Sequence, residues 1–197
     1  MTSERLSKQL EFIVELDLLK GVGRQSYVLG GARKENTAEH SWHVAVMALL
    51  LVEYARERVD PCRVVKMLLL HDVVEIDAGD TFLYDKAGNA SKAAREGEAA
   101  DRIFGLLPDD SAVELRALWE DFEAAETADA RFAAAIDRFL PLFHNCLSNG
   151  MSWAEHGIRR AQVEQHIRPA IERGAKGLWE RAEVMLDEAV AKGILKP

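Results

Sequence analysis

The 197-residue chain is 48% hydrophobic and carries a net charge of −8, with a pI near 5.3. A chain of this length and apolar content can bury one core, so we expect a single domain. The negative charge argues against a general binder of nucleic-acid polymers or anionic membranes, because such surfaces need concentrated lysine and arginine. Cys62 and Cys146 lack CxxC spacing, which predicts reduced thiols in a cytoplasmic protein.

Helices are predicted along almost the whole chain. The N-terminal segment has charges between its apolar residues and is read as an amphipathic helix, not a secretory signal. The longest apolar stretch, residues 44–52, is far short of the roughly 20 residues that cross a bilayer. Apolar residues then recur at helical spacing and no segment alternates like a strand. The predicted helices cover residues 4–20, 37–57, 61–76, 90–105, 109–126, 128–148, 160–172 and 176–192, which makes the expected fold class all-α.

Local signals support several of these helix starts. Asn36 and Glu39 can form a capping box, and Ser152 and Glu155 repeat that pattern. Asp60 is a cap followed by proline at the first helical position. In the last helices, the apolar side chains of Leu178, Trp179 and Met185 could contribute to self-association.

Two segments are not predicted to be helical. Residues 21–35 combine four glycines with Arg24, Arg33 and Lys34, so the backbone can approach an anion and the cations can neutralise it. Residues 77–89 form a polar segment after a helix that carries candidate metal ligands, a natural rim for a substrate. Within or just before this segment, Asp80 or Glu75 could orient a water or pass a proton.

The pair His71–Asp72 directly follows the apolar run Met67–Leu70. An imidazole and a carboxylate buried behind large apolar side chains cost free energy unless a charge satisfies them, and a divalent transition metal accepts both. Because neighbouring helical residues point about 100° apart, we expect an ion between the two side chains, with ligands from other helices. The alternative is a buried pair that serves structure only.

Two histidines and two aspartates are candidates for the remaining ligand positions. His40 is preferred to His43 because it follows polar residues at the open start of a helix, although it could instead cap or pack there. Asp137 is favoured modestly over Asp129 because its neighbours in the segment ARFAAAIDRFLPLFHN are apolar. Pairing of Asp137 with Arg138 on a wet face is the simpler alternative.

Three ordered blocks, ENTAEHSWHVAVMALLLVEYA, LLLHDVVEIDAGDTFLYD and ARFAAAIDRFLPLFHN, resemble the HD-domain metal-dependent phosphohydrolases, in particular their 5'-deoxynucleotidase branch. The resemblance covers nearly the whole chain, through WAEHGI. It implies one HD domain over residues 1–197, a helical bundle with the C-terminal helices packed on it and usually dimeric. The metal ligands that it implies are His40, His71, Asp72 and Asp137.

The same resemblance implies roles for residues around the metal. Asp72, Glu75 and Asp80 match catalytic positions, and Arg24 matches an arginine that orients phosphate, with Arg33 as a second cation. The expected substrate contacts are Arg24, Arg33, His40, Asp80, Thr81, Phe82 and Leu83. One departure concerns Gln25, since characterised bacterial deoxynucleotidases have tryptophan after the arginine; this puts nucleotide selectivity in question.

The function expected is hydrolysis of a phosphate monoester, most of all a deoxyribonucleoside 5'-monophosphate, by a cytoplasmic homodimer. A two-histidine, two-aspartate set is permissive and could hold Mn, Co, Fe, Zn or Ni. The alternatives are a phosphodiesterase or nucleoside triphosphate hydrolase of the same fold, and a module that binds a nucleotide or metal without turnover.

Overall fold

The computed structural model describes residues 2–197; Met1, the first residue of the predicted domain, lies outside the described residues. Over this range the chain is a helical bundle with one two-stranded antiparallel sheet. The helices are α1 (Thr2–Leu16), α2 (Thr37–Leu51), α3 (Pro61–Leu70), α4 (Glu75–Ala78), α5 (Lys86–Phe104), α6 (Asp109–Ala124), α7 (Ala128–Leu147), α8 (Met151–His156), α9 (Arg160–Gly174) and α10 (Lys176–Ala191). The strands are β1 (Gly23–Tyr27) and β2 (Lys34–Asn36). No helix among residues 2–197 combines the length and apolar character that a bilayer crossing requires.

Caps define the helices that carry the site. At the start of α2, the Asn36 side chain accepts a hydrogen bond from the Glu39 backbone, and the Glu39 carboxylate accepts one from the Asn36 backbone. This confirms the predicted capping box. Asp60 caps α3 ahead of its N-terminal proline, as predicted. The box predicted at Ser152 is wrong, because α8 begins at Met151 after Gly150 in the left-handed conformation.

The hairpin β1–β2 replaces the irregular segment expected over residues 21–35. The absence of strands predicted from periodicity is therefore wrong here, since strands of five and three residues are too short to show alternation. At its turn Gly31 has φ +70°, and a Cβ there would lie 2.7 Å from the Met151 sulfur. The hairpin packs on α7 and α8 and brings Arg24 toward the bundle interior.

The helix predicted over residues 61–76 is interrupted. α3 ends at Leu70, and residues 71–74 form a tight turn in which Val73 and Glu75 donate backbone hydrogen bonds to residues three positions earlier. α4 then runs for one turn only. His71 and Asp72 thus occupy the break between two helices, not the middle of one.

The core has two parts. The larger part surrounds α7, which packs against α2, α3, α6, α9 and α10. The smaller part joins α1, α5 and α6 around Phe12, Phe104 and Trp119. Leu178, Trp179 and Met185 of α10 are buried in or against this interior. Their predicted contribution to self-association is wrong, because burial within the chain leaves them no surface to offer.

Candidate metal centre

Four side chains from three parts of the chain converge at the break after α3. His40 comes from the first turn of α2, His71 and Asp72 from the turn, and Asp137 from the middle of α7. Nε2 of His40 lies 2.8 Å from Oδ1 of Asp137, and Nε2 of His71 lies 3.0 Å from Oδ2 of Asp72 and 3.4 Å from Oδ1 of Asp137. The structure brings together all four residues that the sequence proposes as ligands.

The convergence of His71 with Asp72 differs from the expectation that adjacent residues face apart. Their side chains meet, with Nε2 of His71 3.0 Å from Oδ2 of Asp72, although His71 keeps helical backbone angles at the C-terminal cap of α3. Nδ1 of His71 donates a hydrogen bond to the Leu68 carbonyl at 2.8 Å, which fixes the proton on that nitrogen. Nε2 is left facing the acids.

Arg24 balances the charge of the cluster in this structure. Its Nη1 donates to Oδ2 of Asp72 at 2.7 Å and lies 3.5 Å from Asp80 and 3.9 Å from Glu75. Burial lowers the pKa of Arg24, but the attraction of Asp72 and the other carboxylates outweighs it and holds the pKa above the usual value. Arg24 is therefore a permanent cation whose guanidinium spans the cluster and the adjoining cavity.

The same charges set the protonation of the ligand side chains. Burial opposes the charged form of His71, but Asp72 and Asp137 raise its pKa to about 10. Burial also opposes ionisation of Asp72, yet His71 and Arg24 hold its pKa well below the usual range. The carboxylates of Asp72 and Asp137 are therefore ionised and can bind a cation.

Glu75 and Asp80 flank the cluster on the side of Arg24. Burial raises the pKa of Glu75 to about 9, with a further contribution from the charge of Asp72, and Thr37 donates a hydrogen bond to its Oε2 at 2.9 Å. Burial also raises the pKa of Asp80, against the attraction of Arg24. A carboxyl group that stays protonated near neutral pH is suited to general acid or base work.

The donor set fits a divalent metal. Nε2 of His71 is buried and lies 3.0 Å from Oδ2 of Asp72 without hydrogen-bond geometry, and a ligand atom from each of His40, His71 and Asp72 lies within 4.8 Å of the others. Two imidazoles and carboxylate oxygens suit the ions from Mn to Zn. A buried nitrogen aimed at a group of ionised acids is the arrangement that such an ion satisfies.

A cavity adjoins the cluster beyond Arg24 and Asp80. Three residues predicted to contact substrate, Thr81, Phe82 and Leu83, line it. Sequence reasoning missed most of the other wall residues, which are Gln25, Ser26, Tyr84, Pro141, Leu142, Asn145, Ser152, Trp153 and Ile167. Arg138 was considered from the sequence only as a partner of Asp137 on a solvated face. In the structure this side chain lies 3.2 Å from Asp137 and also lines the cavity. These residues come from β1, the loop between α4 and α5, α7, α8 and α9, so only the fold brings them together.

Two considered residues lie elsewhere. Arg33 is more than half exposed and bonds to both oxygens of Glu39 at the surface, so the structure does not bring it to the cluster and we omit it from the phosphate contacts. Asp129, the rival of Asp137, accepts a hydrogen bond from the Asp60 backbone and lies 3.5 Å from Arg63. The structure thus places Asp137, and not Asp129, beside the histidines.

Comparisons with known proteins agree with the fold. The model of the HD domain family matches residues 16–179. The crystal structure of a predicted metal-dependent phosphohydrolase from Magnetospirillum magnetotacticum MS-1 is similar with a TM-score of 0.95 and 52% identity, over 100% of this chain and 98% of that one. A conserved hypothetical protein from Pyrococcus furiosus shares the fold at a TM-score of 0.55 and 21% identity, over 83% of this chain and 97% of that one.

Curated relatives are similar over part of their length. The human 5'-deoxynucleotidase HDDC2 is 34% identical over 130 residues, which is 66% of this chain. The chain spans 62% of the length of that human relative.

Proposed function

This chain belongs to the HD domain family, and from that membership we propose that it is a metal-dependent phosphomonoesterase acting on deoxyribonucleoside 5'-monophosphates. The observation that carries the proposal is the convergence of His40, His71, Asp72 and Asp137 beside a buried arginine at the mouth of a cavity. The names of the human and Magnetospirillum relatives support the same reaction class.

The four converging residues are the proposed ligands of one divalent ion, which we expect to be Mn, Co, Fe, Zn or Ni. When bound, such an ion polarises a phosphoryl oxygen and lowers the pKa of a water at the site. His71 is oriented for this role, because the Leu68 carbonyl holds a proton on Nδ1 and directs Nε2 toward Asp72 and Asp137. Asp72 and Asp137 supply the negative charge.

Arg24 is the proposed phosphate-binding residue. Its guanidinium is held between the cluster and the cavity by Asp72 and Asp80, so it needs no reorganisation to meet a phosphate there. A planar guanidinium can bind two phosphoryl oxygens at once. As negative charge builds on the phosphoryl group, this fixed cation stabilises the transition state more than the ground state.

Glu75 and Asp80 are the proposed proton-transfer groups. Hydrolysis of a phosphate ester requires a proton for the departing nucleoside oxygen and a base for the attacking water. Glu75 holds a proton near neutral pH and is anchored by Thr37. Asp80 lines the cavity and so lies on the side from which the nucleoside leaves.

The cavity is the proposed site of the nucleoside. Phe82, Tyr84 and Trp153 offer aromatic surface on which a base can stack. The amide oxygen of Gln25 accepts a hydrogen bond from Lys34, and Asn145 bonds to the backbone of α7 and α8. The Nε2 group of Gln25 takes no part in these bonds and can donate to the edge of a base, so we expect Gln25 to influence the preference among bases.

The test is release of phosphate from a panel of nucleotides. Metal-free protein is reloaded with Mn or Co and given the four deoxynucleoside monophosphates, their ribonucleotide counterparts, a nucleoside triphosphate and a cyclic dinucleotide. The proposal predicts nucleoside and inorganic phosphate from the monophosphates, with deoxynucleotides preferred. Pyrophosphate or a linear dinucleotide as the main product assigns the chain to the triphosphatase or phosphodiesterase class, and tight nucleotide binding without any product shows a binding module.

We also propose that the chain forms a homodimer through the outer face of α2. Trp42, Val46, Leu49 and Leu50 recur at helical spacing and are exposed. A stripe of large apolar side chains on one face is typical of an interface. Light scattering during size-exclusion chromatography should give a dimer mass for the wild type and a monomer mass for Leu50→Glu; a monomeric wild type contradicts this proposal.

A further inference from the structure

A second cluster of ligand-type side chains lies behind His40, on the side away from Asp137. It consists of Glu35 from β2, His43 from α2 and His144 from the last third of α7. One ligand atom from each residue lies within 4.8 Å of the other two, and the rings of His43 and His144 are 5.2 Å apart. Three elements thus direct two imidazoles and a carboxylate to one point.

Three polar atoms of this cluster are buried without partners. His144 is 3% exposed, and neither of its ring nitrogens has a hydrogen-bond partner. Glu35 is equally buried, and its Oε2 also lacks a partner. Each unsatisfied buried polar group costs roughly 1–3 kcal/mol, more when it is charged, so native proteins rarely keep several together.

The charged side chains near Glu35 do not form a hydrogen bond with its Oε2 atom. Nε of Arg24 lies 4.0 Å away, beyond hydrogen-bonding distance, while Nη1 of that arginine bonds to Asp72. Nδ1 of His40 lies 3.5 Å from Oε2 of Glu35 and is itself unpartnered. No cation among residues 2–197 donates a hydrogen bond to Oε2 of Glu35.

We propose that Glu35, His43 and His144 form a second metal site, for a divalent ion of the zinc type. Two histidines and one glutamate are a ligand set that zinc uses in proteins, with a water in the remaining position. Mg²⁺ and Ca²⁺ are disfavoured because they prefer oxygen ligands. Tetrahedral ligands about 2.1 Å from the ion lie about 3.4 Å apart, so side-chain rotations of the partly exposed His43 can close the shell.

The chemistry of His144 is compatible with this role. Burial lowers its pKa, so the ring is neutral near pH 7 and offers a lone pair. Glu35 would then connect the two sites: its carboxylate binds at the second site, and the same side chain lies 3.5 Å from Nδ1 of His40 in the first. The second site requires no turnover and so stands apart from the proposed function.

The experiment counts ions on the full chain. Wild-type protein is stripped with a chelator, reloaded with excess Zn²⁺, desalted and analysed for zinc per chain by mass spectrometry. We expect His43→Gln and His144→Gln each to bind one ion fewer than the wild type. The control His166→Gln, altered at a half-buried histidine of α9 that bonds to the Gln162 carbonyl, should bind the wild-type number.

A spectroscopic measurement covers the case in which the His144 variant fails to fold. Asp72→Ala protein, which lacks a ligand of the first site, should still bind Co²⁺ with the visible absorption bands of a nitrogen-ligated ion. Adding His43→Gln, a change at a partly exposed residue, should remove those bands. The proposal is overturned if His43→Gln protein binds as much zinc as the wild type, or if Asp72→Ala protein shows no nitrogen-ligated cobalt. Phosphate release by the wild-type protein is measured in a separate assay, so failure of the proposed activity would leave the result for the second metal site unchanged.

Discussion

The two clusters on either side of His40 contain similar side chains but differ in whether those side chains have hydrogen-bond or ion-pair partners. In the first cluster the acids pair with Arg24 and with the histidines, so Asp72 and Asp137 each have a partner within 3 Å. In the second cluster Glu35 and His144 have none. A site whose charges are paired within the protein can persist when its ion leaves, whereas a site with unpaired buried groups depends on the ion for stability.

The comparison assigns different roles to the two positions. Arg24 gives the first cluster a cation that can be shared with a substrate, and a cavity opens beside it. Among residues 2–197 no arginine donates a hydrogen bond to the second cluster, and its three side chains do not line the cavity beside Arg24. The first therefore suits catalysis and the second suits a structural ion.

A large effect should come from removing the cation of the first cluster. Arg24→Gln should lower kcat/KM by about 10²–10³, because a fixed donor at a developing charge is typically worth that factor. Steady-state kinetics with a deoxynucleoside monophosphate measure it. Arg33→Gln, which removes an exposed arginine bonded only at the surface, is the matched control and should stay within about twofold of the wild type. Equal losses in both variants would refute the special position of Arg24.

Metal removal should reveal the difference in stability between the clusters. A ligand at 100 times its Kd stabilises the folded state by about 2.7 kcal/mol, and for a chain of this size each kcal/mol shifts Tm by about 2–4 °C. Chelation should therefore lower the Tm of the wild type by about 5–10 °C per occupied site in a calorimeter. In His144→Gln protein the loss should be smaller, because only the first site still responds. An identical loss in both proteins contradicts the comparison.

A moderate effect is expected in the cavity. Phe82→Ala removes a ring that packs on Tyr84 and on His156, and base stacking is worth about 1–3 kcal/mol. KM should rise about tenfold while kcat changes little, since the variant leaves the metal cluster intact. Kinetics with all four deoxynucleotides check this, and a similar rise for each base is expected. A fall in kcat alone would show that the ring acts on the chemistry instead.

The smallest effect concerns pH. The pKa of His144 is lowered by burial and by the neighbouring rings of His43 and His40, against the attraction of Glu35. Below about pH 6.5 the unfolded chain then binds a proton that the folded chain resists, so stability falls as pH falls. Urea unfolding of metal-free protein should show this loss between pH 7 and pH 5. The loss should be reduced in His144→Gln protein, and an unchanged pH dependence would contradict the account.

The first cluster could be predicted from the sequence because its most unusual element is local. An imidazole and a carboxylate directly after four apolar residues are costly together, and that cost prompts the search for His40 and Asp137. The helical periodicity likewise predicts most helices correctly. Both signals are carried by neighbouring residues, and both agree with the fold.

The features that could not be predicted depend on contacts between residues that are distant in the sequence. Glu35 lies in a three-residue strand, and His144 lies on a helix whose first half already supplies Asp137, so nothing near either residue marks it. The turn at residues 71–74 and the burial of Trp179 were missed for a similar reason, because tertiary contacts decide where a helix breaks and which apolar face is covered. Arg138 was considered only as an alternative surface partner of Asp137, and its place in the cavity wall depends on the packing of α7.

The central claim is that Asp137 is a metal ligand. Its most direct test compares Asp137 with Asp129, because the sequence offers both aspartates for the same ligand position. Asp137→Ala and Asp129→Ala are purified, loaded with Mn or Co, and assayed for phosphate release and for bound metal. The account predicts that Asp137→Ala loses about 10³-fold or more in activity together with one bound ion, while Asp129→Ala keeps both, because only Asp137 lies beside His40 and His71. Full activity in the Asp137 variant would contradict the account.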